Sequence, residues 1–319
     1  MKTAFYFPFL ACVLLLGSCN KDFSSAPVER GQARSGELRT LSFNVNAAAV
    51  TKVTGSVDAG EKAVNTTQIL LFKSGGRLEA YGSSTGGASI EIECSYGQYT
   101  AKAVVNGPDC SAVASLDEFN ALSVGYSDFA AGSLVMVGSS SVSTDDSGPF
   151  VIDVTRMVSR VVVRNIKRDF ETTALAVKDF KIKAIYVDDV LPTVNFGSAA
   201  CSASRVDHTA CTALLYDSVG ASIENSESHE DDHFFYVMPC FGTTALMTLV
   251  LEAELDGETM YYPITVPDLA PNTSYEIVGI TLKRPGSESS DTPIEVGSLS
   301  FNVNVQPWTV IGTSTELEI

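Results

Sequence analysis

Six residues occur twice in this chain, as Leu41-Ser42-Phe43-Asn44-Val45-Asn46 near the start and Leu299-Ser300-Phe301-Asn302-Val303-Asn304 near the end. In both copies Leu, Phe and Val alternate with Ser and Asn, so an extended backbone has one apolar and one polar face. Each copy reads as a half-buried β-strand. Two readings of the repeat are open. Strands draw on few residue types, so such hexamers recur; or both segments suit the same groove at different times or in different molecules.

The rest of the chain is built from similar runs. Strands are predicted over residues 68–73, closed by Ser74-Gly75-Gly76 as a hairpin, and over 88–94, 99–105, 134–138 and 150–154. One helix is predicted, opened by Ser115 with Glu118 three residues on, and with Leu116, Phe119 and Leu122 on one face. A second half begins at Arg156-Met157-Val158-Ser159-Arg160-Val161-Val162-Val163, read as one strand that turns fully apolar. It continues over 180–187, 234–238, 248–254, 260–266 and 275–282 to the second hexamer and Trp308. Asp256-Gly257 and Pro271-Asn272 supply turns between strands. The expectation is a mainly β protein with few short helices, arranged as two β-sandwich domains over residues 53–155 and 156–319.

The N-terminus carries a different signal. Lys2 precedes an apolar run over residues 5–16, long enough for a signal-peptide core and too short for a membrane span of ~20 residues. The run ends in Leu16-Gly17-Ser18-Cys19, which resembles a bacterial lipobox and implies cleavage after residue 18 with acylation of Cys19. The polar stretch over 22–39 reads as a tether between that anchor and the first strand.

A formal charge of −17 with 45% hydrophobic residues describes a folded acidic protein and excludes nucleic acid as an expected partner. His229-Glu230-Asp231-Asp232-His233 has two histidines four apart. It lies in a polar run with no helical period, so the expectation is a solvated acidic loop and no metal site. Cys201 and Cys211 could close a short loop in an oxidising compartment. Asp145-Asp146 and Asp188-Asp189 sit in turns where carboxylates cap backbone, and His208 has no evident partner. No nucleophile elbow, phosphate loop or triad appears, so neither catalytic residues nor a cofactor are expected.

The last ~85 residues resemble the C-terminal half of FimA-type fimbrillins, the major subunits of Bacteroidetes type V fimbriae. The resemblance rests on Phe235-Tyr236-Val237-Met238-Pro239, Asp256-Gly257 with Tyr261-Tyr262-Pro263-Ile264, and Asn272-Thr273-Ser274-Tyr275-Glu276-Ile277. It continues in Leu282-Lys283-Arg284-Pro285-Gly286-Ser287 with Asp291-Thr292-Pro293, and in Val305-Gln306-Pro307-Trp308-Thr309-Val310-Ile311-Gly312. Weaker likeness covers the first half, and Asp217-Ser218-Val219 resembles an O-glycosylation acceptor of Bacteroidetes secreted proteins.

What the resemblance implies is two transthyretin-like domains in a surface fimbrial subunit, exported as an outer-membrane lipoprotein. A protease of trypsin-like specificity then removes the lipid with the first strand, and a neighbour's C-terminal strand fills the vacated groove. The removed strand would present Leu41, Phe43 and Val45. A cut between Lys52 and Val53 removes it whole, whereas the runner-up, between Arg39 and Thr40, leaves it attached. The donor would use Ile311, Thr313, Thr315, Leu317 and Ile319, within a tail over about 309–319; alternatively the tail pairs inside its own domain. Expected partners are copies of the chain, related subunits, and host or bacterial surface receptors. The alternatives are a tip adhesin and a lipid-anchored glycan- or protein-binding surface protein that never polymerises.

Overall fold

The computed structural model describes residues 37–47, 61, 63–129, 133–197, 204–239, 246–267, 269–292, 294 and 298–307. Among the described residues eight strands precede residue 157: β1 (Leu38–Ala47), β2 (Thr66–Phe72), β3 (Leu78–Thr85), β4 (Ser89–Ser95), β5 (Gln98–Val105), β6 (Ser123–Gly125), β7 (Met136–Ser143) and β8 (Phe150–Arg156). Seven of them form one sheet in the order β3-β2-β5-β7-β8-β1-β4. Its two outer strands pack against each other, since a Cβ added to Gly82 of β3 would stand 2.8 Å from Ile92 Cγ1 of β4. The sheet thus curls around a core that contains Leu41, Phe43, Ile69, Leu71, Ile92 and Ile152.

Ile69-Leu70-Leu71-Phe72 is continuously apolar because β2 is buried on both faces. Ile69 and Leu71 point into the curled sheet. Leu70 and Phe72 pack with Phe119 of the helix α1 (Leu116–Ala121). Ser115 caps that helix, its Oγ accepting from Glu118 N at 3.2 Å, and Glu118 Oε2 accepts in turn from Ala114 N at 2.8 Å.

The later strands are β9 (Ser159–Arg168), β10 (Phe180–Asp188), β11 (Thr193–Asn195), β12 (Tyr216–Asp217), β13 (Ala221–Ser222), β14 (Ser228–His229), β15 (His233–Val237), β16 (Met247–Leu255), β17 (Glu258–Val266), β18 (Thr273–Leu282) and β19 (Leu299–Pro307). One sheet runs β12-β10-β16-β17 with β13 also on β10, and another runs β14-β9-β18-β19 with β15 also on β9. Val161, Val163 and Ile277 of the second sheet share a core with Ile182, Leu249 and Leu251 of the first, which makes a sandwich. The β16–β17 hairpin turns through Asp256 and Gly257, both at positive φ (54° and 88°), as a type I′ turn requires.

Three expectations change. The segment from Arg156 to Val163 is not one strand: Arg156 ends β8, and β9 starts at Ser159 after a two-residue bend. Strand β3 carries no apolar alternation of its own and was not expected; it is drawn into place by the β2 hairpin, where Gly76 N donates to Lys73 O at 2.8 Å. The strand expected over 134–138 starts at Met136 and extends through a serine run to Ser143, held by pairing with β5.

Candidate functional site

β1 holds the first copy of the hexamer, and its alternation is realised as burial. Leu41, Phe43 and Val45 are 3%, 0% and 8% exposed, and the Phe43 ring lies 5.6 Å from that of Phe150. Its pairing is staggered. Antiparallel to β4, it matches Leu38 with Ser95 through Asn44 with Ser89; parallel to β8, it matches Phe43 with Phe150 through Ala47 with Val154. Among the described residues only Phe43 and Asn44 have strand partners on both sides, and next to them Val45 N donates to Ala88 O at 2.8 Å.

The first half of β1 is therefore open on its β8 side. A notch of ≈ 360 Å³ lies there, lined by Arg39, Leu41, Ser42, Asn44, Gly148 and Phe150. Beyond the doubly paired centre, Asn46 Nδ2 donates to Asp153 Oδ1 at 2.9 Å. Burying three such side chains is worth about 5–9 kcal/mol. That is comparable to the whole stability of a typical domain, about 5–15 kcal/mol, so an emptied β1 position is costly until it is refilled.

Arg39 and Thr40, the alternative cleavage pair, lie inside β1 opposite Cys94 and Glu93. The Arg39 guanidinium stands 6.0 Å from the Tyr96 ring. Lys52, Val53 and Cys19, together with Ile311, Thr313, Thr315, Leu317 and Ile319, lie outside the described residues.

Glu61, a carboxylate just beyond a glycine-rich stretch, is 1% exposed. Arg160 Nη1 donates to Glu61 Oε1 at 3.0 Å and to Oε2 at 3.2 Å, and Tyr236 OH donates to Oε1 at 2.8 Å. Arg156 Nε and Nη2 donate to the Glu61 carbonyl at 3.2 and 2.9 Å. The signal that could have found this is Arg160 itself: a guanidinium in the run Val158-Ser159-Arg160-Val161-Val162-Val163 demands a buried partner.

The second hexamer has another environment. β19 pairs with β18 alone among the described residues, at the edge of its sheet, and Leu299, Phe301 and Val303 are only partly buried. Identical residues thus occupy an interior strand with buried apolar side chains in one place and a sheet edge in the other.

The 229–233 segment is not a solvated loop: His229 lies in β14, and His233, 5% exposed, opens β15. Strand alternation around the run, with Phe235 and Val237 inward, carries His233 into the interior. His208 has a partner, Asp188 Oδ1 at 2.7 Å from its Nδ1, and its ring packs against those of Tyr186 and Tyr216. Cys94, Cys110 and Cys211 are free thiols, and Cys201 lies outside the described residues. Burial pushes the Cys110 thiol up to about 11, which makes it inert. Ser218 is exposed. Among the described residues no helix is long and apolar enough to cross a membrane.

No protein-family model matches the chain, and no curated protein sequence does. Solved structures do. A candidate cell adhesion protein from Bacteroides eggerthii superposes with a TM-score of 0.67 at 18% identity, covering 87% of this chain and 98% of that one. A fimbrilin (FimA) from Porphyromonas gingivalis gives 0.61 at 17%, covering 86% and 98%. The tip fimbrial protein Mfa3 from Porphyromonas gingivalis, solved with a C-terminal truncation, gives 0.52 at 13%, covering 85% and 100%. The chain has a fimbrillin-like fold.

Proposed function

We propose that this protein is a structural subunit of a cell-surface fimbria, made as an outer-membrane lipoprotein acylated at Cys19 and matured by a trypsin-like cut between Lys52 and Val53. Loss of β1 opens a groove between β4 and β8. The tail of a second copy, with Ile311, Thr313, Thr315, Leu317 and Ile319, fills it. The polymer supports adhesion to host or bacterial surfaces.

The observation behind this reading is the staggered, deeply buried seat of β1. Taking out a strand that β4 and β8 both need exposes two rows of backbone groups beside an apolar trench, and only another strand repairs both. Because β4 and β8 run oppositely to each other, any replacement is antiparallel to one and parallel to the other. The Leu41, Phe43 and Val45 pockets therefore decide which residues enter. The two-residue spacing of the tail suits those pockets.

The structure also favours Lys52 over Arg39 as the cut. Proteases bind substrate as an extended, unpaired segment, and Arg39 and Thr40 are already paired to β4. Glu61 lies beyond Lys52, so its buried contacts outlast the cut and hold the new N-terminal region in place.

The test is the N-terminus of surface-extracted protein, read by mass spectrometry, together with deletion of residues 313–319. A start at Val53 and a deletion mutant that folds as a monomer without fimbriae support the proposal. An intact lipidated Cys19 in the finished protein, or a start at Thr40, or normal fimbriae from the deletion mutant, overturns it.

A further inference from the structure

His229 and His233 sit on two short strands that both pair with β9, His229 opposite Ile166 and His233 opposite Val163. β15 continues the line of β14 along β9, and the three residues between the histidines bulge opposite the two residues Arg164 and Asn165. The histidine Nε2 atoms are 3.0 Å apart, with ring centroids at 5.1 Å and planes inclined by 27°, so the rings meet edge to edge. Asp217 Oδ2 lies 2.7 Å from His233 Nδ1. A carboxylate there accepts a hydrogen bond from Nδ1–H, so His233 Nε2 accepts from His229 Nε2–H; a metal ion would take the place of that shared proton, with the carboxylate orienting a metal-binding imidazole.

Asp231 lies on the bulge, its Oδ2 3.9 Å from His229 Nε2 and its side chain 86% exposed, with room to swing inward. The neighbouring Asp232 is engaged elsewhere, by Arg164 Nη1 at 2.6 Å. Among the described residues no three His, Cys, Asp or Glu side chains already stand at ligand spacing, so Asp231 must change rotamer to join.

We propose that His229 and His233 form a divalent transition-metal site, completed by Asp231 and solvent and oriented by Asp217. A tetrahedral ion with Zn–N bonds of ~2.0–2.1 Å holds two nitrogens about 3.3 Å apart, so the imidazoles need to part by only a few tenths of an ångström. Two nitrogens and one carboxylate suit zinc, nickel or copper and not the oxygen-seeking calcium or magnesium. A bound ion would clamp the 230–232 bulge and tie β14 and β15 together along β9. The site uses no residue of the β1 groove, so its failure would leave the proposed assembly untouched.

The test is calorimetric titration of the purified full chain with zinc chloride. The expected result is saturable one-to-one binding, about tenfold or more weaker in Asp217→Asn, as for other orienting partners of metal ligands, and lost in His229→Asn and His233→Asn. Calcium chloride should give no heat. His229 is the less buried ligand, at 12% side-chain exposure. If His233→Asn fails to fold, a His229→Asn protein with wild-type circular dichroism and melting decides alone. Absence of zinc binding in the wild type, or binding retained by His229→Asn, overturns the proposal.

Discussion

Arg160 reaches Glu61 across 99 residues of sequence, Nη1 to Oε1 at 3.0 Å, and both side chains are sealed from solvent at 0% and 1% exposure. Removing Glu61 takes away the nearer counter-charge of Arg160 and leaves Glu276 Oε1, 3.7 Å from Nη2, as the other; a buried charge stripped of its partner costs about 3–5 kcal/mol, which is the upper bound here. Glu61→Gln should lower the urea unfolding free energy by up to that amount. Its effect falls on the side-chain contacts alone, because Arg156 binds the Glu61 carbonyl. The pair Glu61→Leu with Arg160→Met, apolar on both sides, should cost less than Glu61→Gln by itself. A double variant as unstable as the sum of its singles would show that the pair is not the coupled unit described.

The repeated hexamer allows a controlled comparison, with the same residue and the same local sequence at two depths. Phe43 is 0% exposed in a strand flanked on both sides, and Phe301 is partly buried at a sheet edge. In the uncut chain Phe43→Ala should cost about 3–5 kcal/mol. Phe301→Ala should cost less, about 1–2 kcal/mol. Denaturant unfolding of the two variants side by side measures the difference, and equal losses would mean that the two copies have equivalent environments.

Much of the β architecture was legible because alternation and turn chemistry are local. The hairpin at Gly75-Gly76, the Ser115 cap and the Asp256-Gly257 turn all read directly from neighbours in sequence. What failed was non-local. Nothing near Glu61 announces that two arginines about a hundred residues away will bury it. The polar run 225–232 hides the inward His233 because its carboxylates dominate the composition, while the pairing of β14 and β15 with β9 decides the orientation. Arg156 and Arg160 looked like one basic strand because the bend between them is made of Met157 and Val158, residues that give no turn signal. For the candidate site, alternation correctly marked Leu41, Phe43 and Val45 as one face. The stagger between β4 and β8 had no sequence signature, since parallel pairing is set by distant strands.

Acid should weaken the first sheet through Glu79. The Lys73 ammonium, followed by the Ser95 hydroxyl, pulls its carboxyl down to about 2 from an ordinary 4.5. A depressed carboxylate contributes stability that is fully present above its unfolded value and is lost as pH falls through its folded one. The window is therefore pH 4.5 down to about 2. Lys73 is 40% exposed, so solvent screening reduces the contribution to about 1 kcal/mol. Wild type should exceed Glu79→Gln in unfolding free energy at pH 6, and the gap should narrow at pH 2.5. A gap that is constant across this range would rule out titration of Glu79 as its source.

Hydrogen exchange can read the stagger of β1 directly. An amide exchanges slowly when it is bonded inside a sheet and fast when it points into a notch reached by water. Over residues 38–42 β4 is the one strand alongside among the described residues, so every second amide faces the notch and should exchange quickly. Over residues 43–45 β4 and β8, with the Ala88 carbonyl, flank both edges, and these amides should be the slowest in the strand. The strand would then be held hardest at its centre and least at the end that leads back toward the N-terminus, so removal by an incoming strand would begin in the notch beside Arg39 and Leu41. Uniform protection from residue 38 to residue 47 would mean that β1 is clamped along its whole length, and that route of entry would be closed.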